Sequence, residues 1–113
     1  MKAALNADLH CHSTVSDGVL APSEVAARAH ANGVTLWALT DHDELGGQAE
    51  AMQAAADLGM RCFSGVEISV TWSGQTVHIV GLDVDTQDAT LLEGLRRTRA
   101  GRAERAREIG QRL

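Results

Sequence analysis

Apolar residues along this chain fall into short runs set apart by polar and glycine-bearing turns, and the runs alternate between two periodicities. Ala4–Leu9 is a short, mostly apolar run interrupted by Asn6, and it ends in polar chemistry. From Pro22 to Asn32 the spacing predicts a helix. Proline suits its first turn, Gly33 supplies its stop, and Val25, Ala26 and Ala29 share one face. Val34–Thr40 is nearly unbroken in its apolar character, the pattern of a strand covered on both faces in a parallel sheet. Leu45–Leu58 predicts a second helix, with Leu45, Ala49, Met52 and Ala56 at helical spacing and Gly59 ending it. Cys62–Val70 reads as a third strand and Thr76–Val84 as a fourth, and Ser73-Gly74 between them is a turn signal that predicts a hairpin. Asp88–Leu113 predicts a long arginine-rich helix carrying Leu91, Leu92, Leu95, Ile109 and Leu113.

Strands alternating with helices in this way imply an α/β fold with a mainly parallel sheet. The 113 residues amount to one domain at most, and the 44% apolar content is enough for a core. Phe63, Trp37 and Trp72 are the only aromatics, so that core is built from Leu, Val, Ile and Ala. Four strands leave the sheet edges little covered, and the last helix ends without a capping residue or a return to the core. The expectation is therefore the N-terminal part of something longer. The opening MKAALNADLH has no apolar stretch of the kind a secretory leader carries, and no segment approaches the ~18 apolar residues of a membrane span. Cys11 and Cys62 form no close-spaced pair, which favours two reduced thiols and a cytoplasmic chain over a disulfide.

Charge changes the picture. The net −5 conceals a basic end: Arg96, Arg97, Arg99, Arg102, Arg105, Arg107 and Arg112 face only Glu104 and Glu108, while the chain before Arg96 is acidic. Much of that acid lies beside histidine, in Asp8-Leu9-His10-Cys11-His12 and Asp41-His42-Asp43. His10, His12, His42 and His78 all fall at the end of a predicted strand or within one, and only His30 lies inside a helix. In a parallel α/β sheet the C-terminal strand ends share one side, where ligands bind. Residues two apart in extended backbone point the same way, so His10 and His12 form a pair. Imidazole suits zinc, iron and manganese, and carboxylates favour harder cations. Each residue alone also has a plain explanation. His78 could be a core histidine, His42 or Asp17 a turn residue, Glu67 an ordinary strand-end carboxylate. Together these would have to coincide at the ends of successive strands.

The motifs Asp8-Leu9-His10-Cys11-His12-Ser13, Ser16-Asp17-Gly18, Thr40-Asp41-His42-Asp43, Gly65-Val66-Glu67-Ile68-Ser69 and His78-Ile79-Val80-Gly81 follow the order of the PHP (polymerase and histidinol phosphatase) family. In wording the chain most resembles the bacterial branch holding nucleoside 3′,5′-bisphosphate phosphatases and 5′→3′ exoribonucleases. The resemblance implies the N-terminal part of a distorted (β/α)7 barrel, with the arginine-rich helix over 88–113 leading towards a cap insertion. It implies two or three divalent ions (Mn2+, Zn2+ or Fe2+). His10 and His12 would hold the first, Glu67 would bridge to a second held by His78, and Asp17 and His42 would hold a third. Asp8, Asp41 and Asp43 would orient imidazoles. The family's remaining ligands come from later motifs, which this sequence does not contain. The implied reaction is metal-assisted hydrolysis of a phosphate ester of a small nucleotide or a short RNA end. The basic last helix is either a solvated face or an anion site in which Arg99 and Arg102 hold a second phosphate. No Ser or Cys nucleophile is required, Cys11 is a packing residue, and Ser13 and Ser16 are candidate phosphate donors. No membrane and no obligate protein partner is implied. Alternative readings are a catalytically incomplete metal-binding or interaction fragment, a histidinol phosphatase, or a polymerase-associated module.

Overall fold

In the computed structural model, which describes residues 5–112, three short strands form a parallel sheet. Strand β1 (Ala7–Asp8) pairs with β2 (Leu36–Ala38), and β2 pairs with β3 (Arg61–Phe63). Helices α1 (Pro22–Ala31) and α2 (Gln48–Asp57) make the two crossovers and pack on one another. Pro22 sits in the first turn of α1, and the Glu24 carboxylate accepts the Ala21 N–H at 3.2 Å. Gly33 and Gly59, at φ +85° and +72°, follow the ends of the two helices in the left-handed conformation that glycine tolerates. Ala4 and Leu113, which the pattern assigned to the first strand and the last helix, lie outside the described residues.

The run Cys62–Val70 is not one strand. It breaks at Ser64, whose hydroxyl donates to the Val84 carbonyl at 2.6 Å. Beyond it β4 (Gly65–Trp72) turns away from the parallel sheet and pairs antiparallel with β5 (Gln75–Leu82) through the expected Ser73-Gly74 turn. One parallel bridge, His42 to Glu67, joins the hairpin to the segment following β2. Glu67 N–H donates to the Asp41 carbonyl at 3.0 Å, and Asp43 N–H donates to the Glu67 carbonyl at 2.9 Å.

Helix α2 also departs from the pattern. It starts at Gln48 rather than Leu45, because Gly46 and Gly47 do not support a first turn and the Glu44 carboxylate instead accepts the N–H groups of Leu45 and Gly46. Its buried face is Gln48, Ala51 and Ala55, one step round from the expected Ala49, Met52 and Ala56, which are exposed. Gln48 spans the core with both ends of its amide. Nε2 donates to the Leu39 carbonyl at 2.8 Å, and Oε1 accepts the Gly65 N–H at 3.1 Å.

Two apolar clusters result. Trp37, Leu39, Val34 and Met60 meet the alanines of α1 and α2 in the larger one. The smaller joins Val66 of β4 and Leu45 to Leu95, the buried residue through which α3 (Ala89–Arg112) sits on the hairpin. Leu92 and Ile109 of the same helix are exposed. No helix among the described residues is long and apolar enough to cross a membrane.

Candidate metal centre

The three parallel strands end on one side, and the chain leaving each carries polar side chains into the same space. His10 and His12 follow β1, and His42 follows β2. Glu67 lies in β4, four residues past β3, where the strand alternation turns Val66 into the core and Glu67 away from it. His78 sits in the middle of the antiparallel β5, opposite Ser69, rather than at a strand end. It reaches the site because the hairpin folds its inner face over it.

Glu67 is the hub, with its side chain only 7% exposed. Oε1 meets Nε2 of His10 in a close contact and Nε2 of His12 at 3.1 Å. Oε2 lies 3.3 Å from Nδ1 of His42 and 3.4 Å from Nδ1 of His78. Asp17 closes the other side, 2.8 Å from Nδ1 of His12 and 3.1 Å from Nε2 of His42. Burial pushes the Glu67 carboxyl up, but hydrogen bonds with His10 and His12 and the nearby imidazole charge outweigh it and hold the group below its ordinary value. Three overlapping triads emerge, His10–His12–Glu67, His12–Asp17–His42 and His42–Glu67–His78. In each, one ligand atom per residue lies within 4.8 Å of the others. His30 is exposed on α1 and belongs to none of them.

The three aspartates expected to orient imidazoles are occupied otherwise. Asp8 accepts the His10 backbone N–H at 3.3 Å. Asp41 accepts three donors from Ser13 and Ser16. Asp43, fully buried and at φ 52°, accepts the Ser69 N–H at 2.8 Å. Its Oδ2 has no hydrogen-bond partner, although the Arg102 Nε stands 3.4 Å away as an ion pair. Because the Ser13 and Ser16 hydroxyls both donate to Asp41, neither has a proton free for a phosphate oxygen.

Helix α3 brings the arginines alongside. Arg99 donates from Nη1 to the Asp43 carbonyl at 2.8 Å and places Nε 3.4 Å from Glu44. Arg99, Arg102 and Arg105 line a cleft of about 1100 Å³ together with Asp17, His42 and His78. Sequence reasoning missed Glu44, whose acidic place directly after Asp43 was the available signal, and Gln48, a polar residue in an alanine-rich helix. Both cysteines are free. Burial pushes the Cys11 thiol up to about 12, against a lowering contribution from the Trp37 indole N–H, which points at its sulfur from 3.2 Å.

A parallel sheet whose strand ends deliver Asp17 and three imidazoles, met by Glu67 and His78 from an antiparallel hairpin beside an arginine-lined cleft, defines an α/β protein built around a polar, metal-site-like centre. The chain belongs to the PHP domain family, whose profile matches residues 8–101. It is 54% identical over 108 residues to a 3′,5′-nucleoside bisphosphate phosphatase of Chromobacterium violaceum, covering 96% of this chain and 38% of that protein. It is 49% identical over 106 residues to a 5′-3′ exoribonuclease of Haemophilus influenzae, covering 94% and 39%. Among solved structures, a proposed metal-dependent phosphoesterase of Bifidobacterium adolescentis superposes with a TM-score of 0.89 at 30% identity, covering 98% of this chain and 39% of that one. The chain thus spans somewhat under two-fifths of the length of these relatives.

Proposed function

We propose that this chain is the N-terminal part of a metal-dependent phosphoric ester hydrolase acting on small nucleotides, 3′,5′-bisphosphates in particular, or on short RNA ends. The observation that carries this reading is the position of His12 and His42, each with both ring nitrogens turned to carboxylates. A neutral imidazole has one N–H, so it satisfies one such carboxylate as a donor and leaves its second nitrogen lone pair against the other. Positive charge between ring and carboxylate resolves that conflict, and either a second proton on the ring or a divalent cation supplies it. The donor set fits such ions.

His10, His12 and Glu67 would hold one ion, Glu67 and His78 a second, and Asp17 and His42 a third. Manganese, zinc and ferrous iron suit this mixture of imidazole and carboxylate. The chemistry bound ions contribute is activation of water and neutralisation of phosphate charge. Around them, Glu67 spreads one carboxylate over several imidazoles, Asp41 holds the Ser13–Asp17 loop, and Arg99 and Arg102 present guanidinium groups to a second phosphate. Cys11 stays a protonated packing residue. Two free thiols also agree with a cytoplasmic setting.

A second reading, a metal-binding fragment without turnover, is favoured by the share of its relatives' length that the chain spans. Metal content by mass spectrometry, with phosphatase assays on this chain and on the full-length protein, separates the two. Metal in both with turnover in the full-length protein is the expected result. A full-length protein that binds metal and hydrolyses no nucleotide phosphate would overturn the enzyme reading.

A further inference from the structure

We infer that Asp41 is a positioning residue for Asp17, holding the Ser13–Asp17 loop in the one shape that sets the Asp17 carboxylate between His12 and His42. The inference rests on the reading above that Asp17 belongs to the metal centre. Asp41 is 1% exposed. Its Oδ1 accepts the Ser13 N–H at 2.7 Å and the Ser16 hydroxyl at 2.6 Å, and its Oδ2 accepts the Ser13 hydroxyl at 2.6 Å. Among the described residues no Lys, Arg or His pairs with it, so these three donors alone offset the burial of its charge. All three come from one four-residue stretch. A buried carboxylate satisfied in this way dictates the conformation of its donors.

That stretch is then closed on itself. The Ser13 carbonyl accepts the N–H groups of Ser16 at 3.1 Å and Gly18 at 2.8 Å. The turn is so tight that a Cβ at Gly18 would stand 2.4 Å from the His12 carbonyl oxygen. Asp17 rides on this turn with its side chain 60% exposed, and its side-chain contacts among the described residues are His12 and His42. Nothing packs Asp17 into place, so the loop must. The backbone of Asp41 meanwhile accepts from Glu67 N–H at 3.0 Å, and the next residue is His42. The Asp41 side chain therefore ties the loop that carries Asp17 to the strand end that carries His42, while its backbone, which an alanine at this position would keep, holds the hairpin that carries Glu67.

The test uses this chain, with Mn2+ titrations followed by calorimetry and amide hydrogen exchange measured in EDTA. Asp41→Ala is expected to weaken Mn2+ binding by about 10–100-fold, the range for losing a group that orients a ligand, and to speed exchange at Ser16 and Gly18. Asp41→Asn, which keeps an acceptor, should recover part of both. The double variant Asp41→Ala/Asp17→Asn should bind no more weakly than Asp17→Asn alone, because Asp41 acts through Asp17. Unchanged Mn2+ affinity in Asp41→Ala, or losses that add in the double variant, would overturn the inference. If Asp41→Ala does not fold, Ser16→Ala carries the same test from a half-buried loop position, and unchanged affinity with unchanged Gly18 exchange would again overturn it. A wild-type chain that binds no Mn2+ refutes the metal reading, and exchange at Ser16 and Gly18 still decides whether Asp41 shapes the loop.

Discussion

Arg99 donates from Nη1 to the backbone carbonyl of Asp43 across 2.8 Å, which fastens α3 to the segment that presents His42. Arg102, one turn on, leans on the buried Asp43 carboxylate through Nε. Both arginines are thereby held at the rim of the cleft rather than trailing in solvent. In the full-length protein, Arg102→Ala should raise KM for a nucleoside bisphosphate far more than for a monophosphate. The Arg102 side chain is half exposed, and a hydrogen bond to a charged group is worth ~1.5–3 kcal/mol. Measuring kcat/KM on both substrates checks it, and an equal loss on the two would assign the arginine to anchoring the helix.

Glu67 touches four imidazoles, so Glu67→Ala should reduce metal content more than any other single change in the centre. His30→Ala, on the exposed face of α1, should leave it intact. Mass spectrometry of metal-loaded variants reads the difference, and equal losses would contradict the arrangement of roles.

Burial raises both thiols, Cys11 to about 12 and Cys62 above its ordinary value. At pH 8 the folded chain should alkylate slowly with iodoacetamide and rapidly once denatured. The sign for stability follows: above the ordinary thiol pKa of about 8.5 the unfolded chain releases protons that the folded chain keeps, so stability falls as pH rises from there towards 12. Rapid labelling of native Cys11 would show a reactive site instead of a packing residue.

Two glycines should respond in opposite directions. A Cβ at Gly65 would meet Thr40 Cγ2 at 2.8 Å and the Leu39 carbonyl oxygen at 3.0 Å, so Gly65→Ala should cost about 1–3 kcal/mol through overpacking. Gly94 lies inside α3 with nothing within 4 Å of its would-be Cβ, and Gly94→Ala should stabilise by up to ~1 kcal/mol through helix propensity. Thermal unfolding of the two variants checks both signs.

How much of this could be read beforehand depended on how sharply residues discriminate. Pro22, Gly33 and Gly59 bounded two helices because their backbone preferences are strong. The inward face of α2 was misread because Gln48–Asp57 offers alanine on nearly every side, so apolar spacing carries little information there. The break at Ser64 was invisible for a related reason. An apolar run shows that a strand is buried without showing which partner it pairs with, and β3 and β4 pair in opposite senses. His10, His12, Asp17, His42, Glu67 and His78 lie together in three overlapping triads. The partners of Asp41 and Asp43 depend on tertiary geometry, which short spacings do not encode.

The placement of Glu67 between Val66 and Ile68 also bears on how the chain finds its pairing. Side chains alternate across a strand, so sliding β4 by a single position against His42 would exchange the occupants of its two faces. The carboxylate would then point at Leu45 and Leu95, and Val66 would stand among the histidines. An unpaired carboxylate among leucines is strongly disfavoured. The same acid that gathers the imidazoles therefore rejects the misaligned hairpin, and a variant carrying Leu at this position would lose that proofreading along with its chemistry.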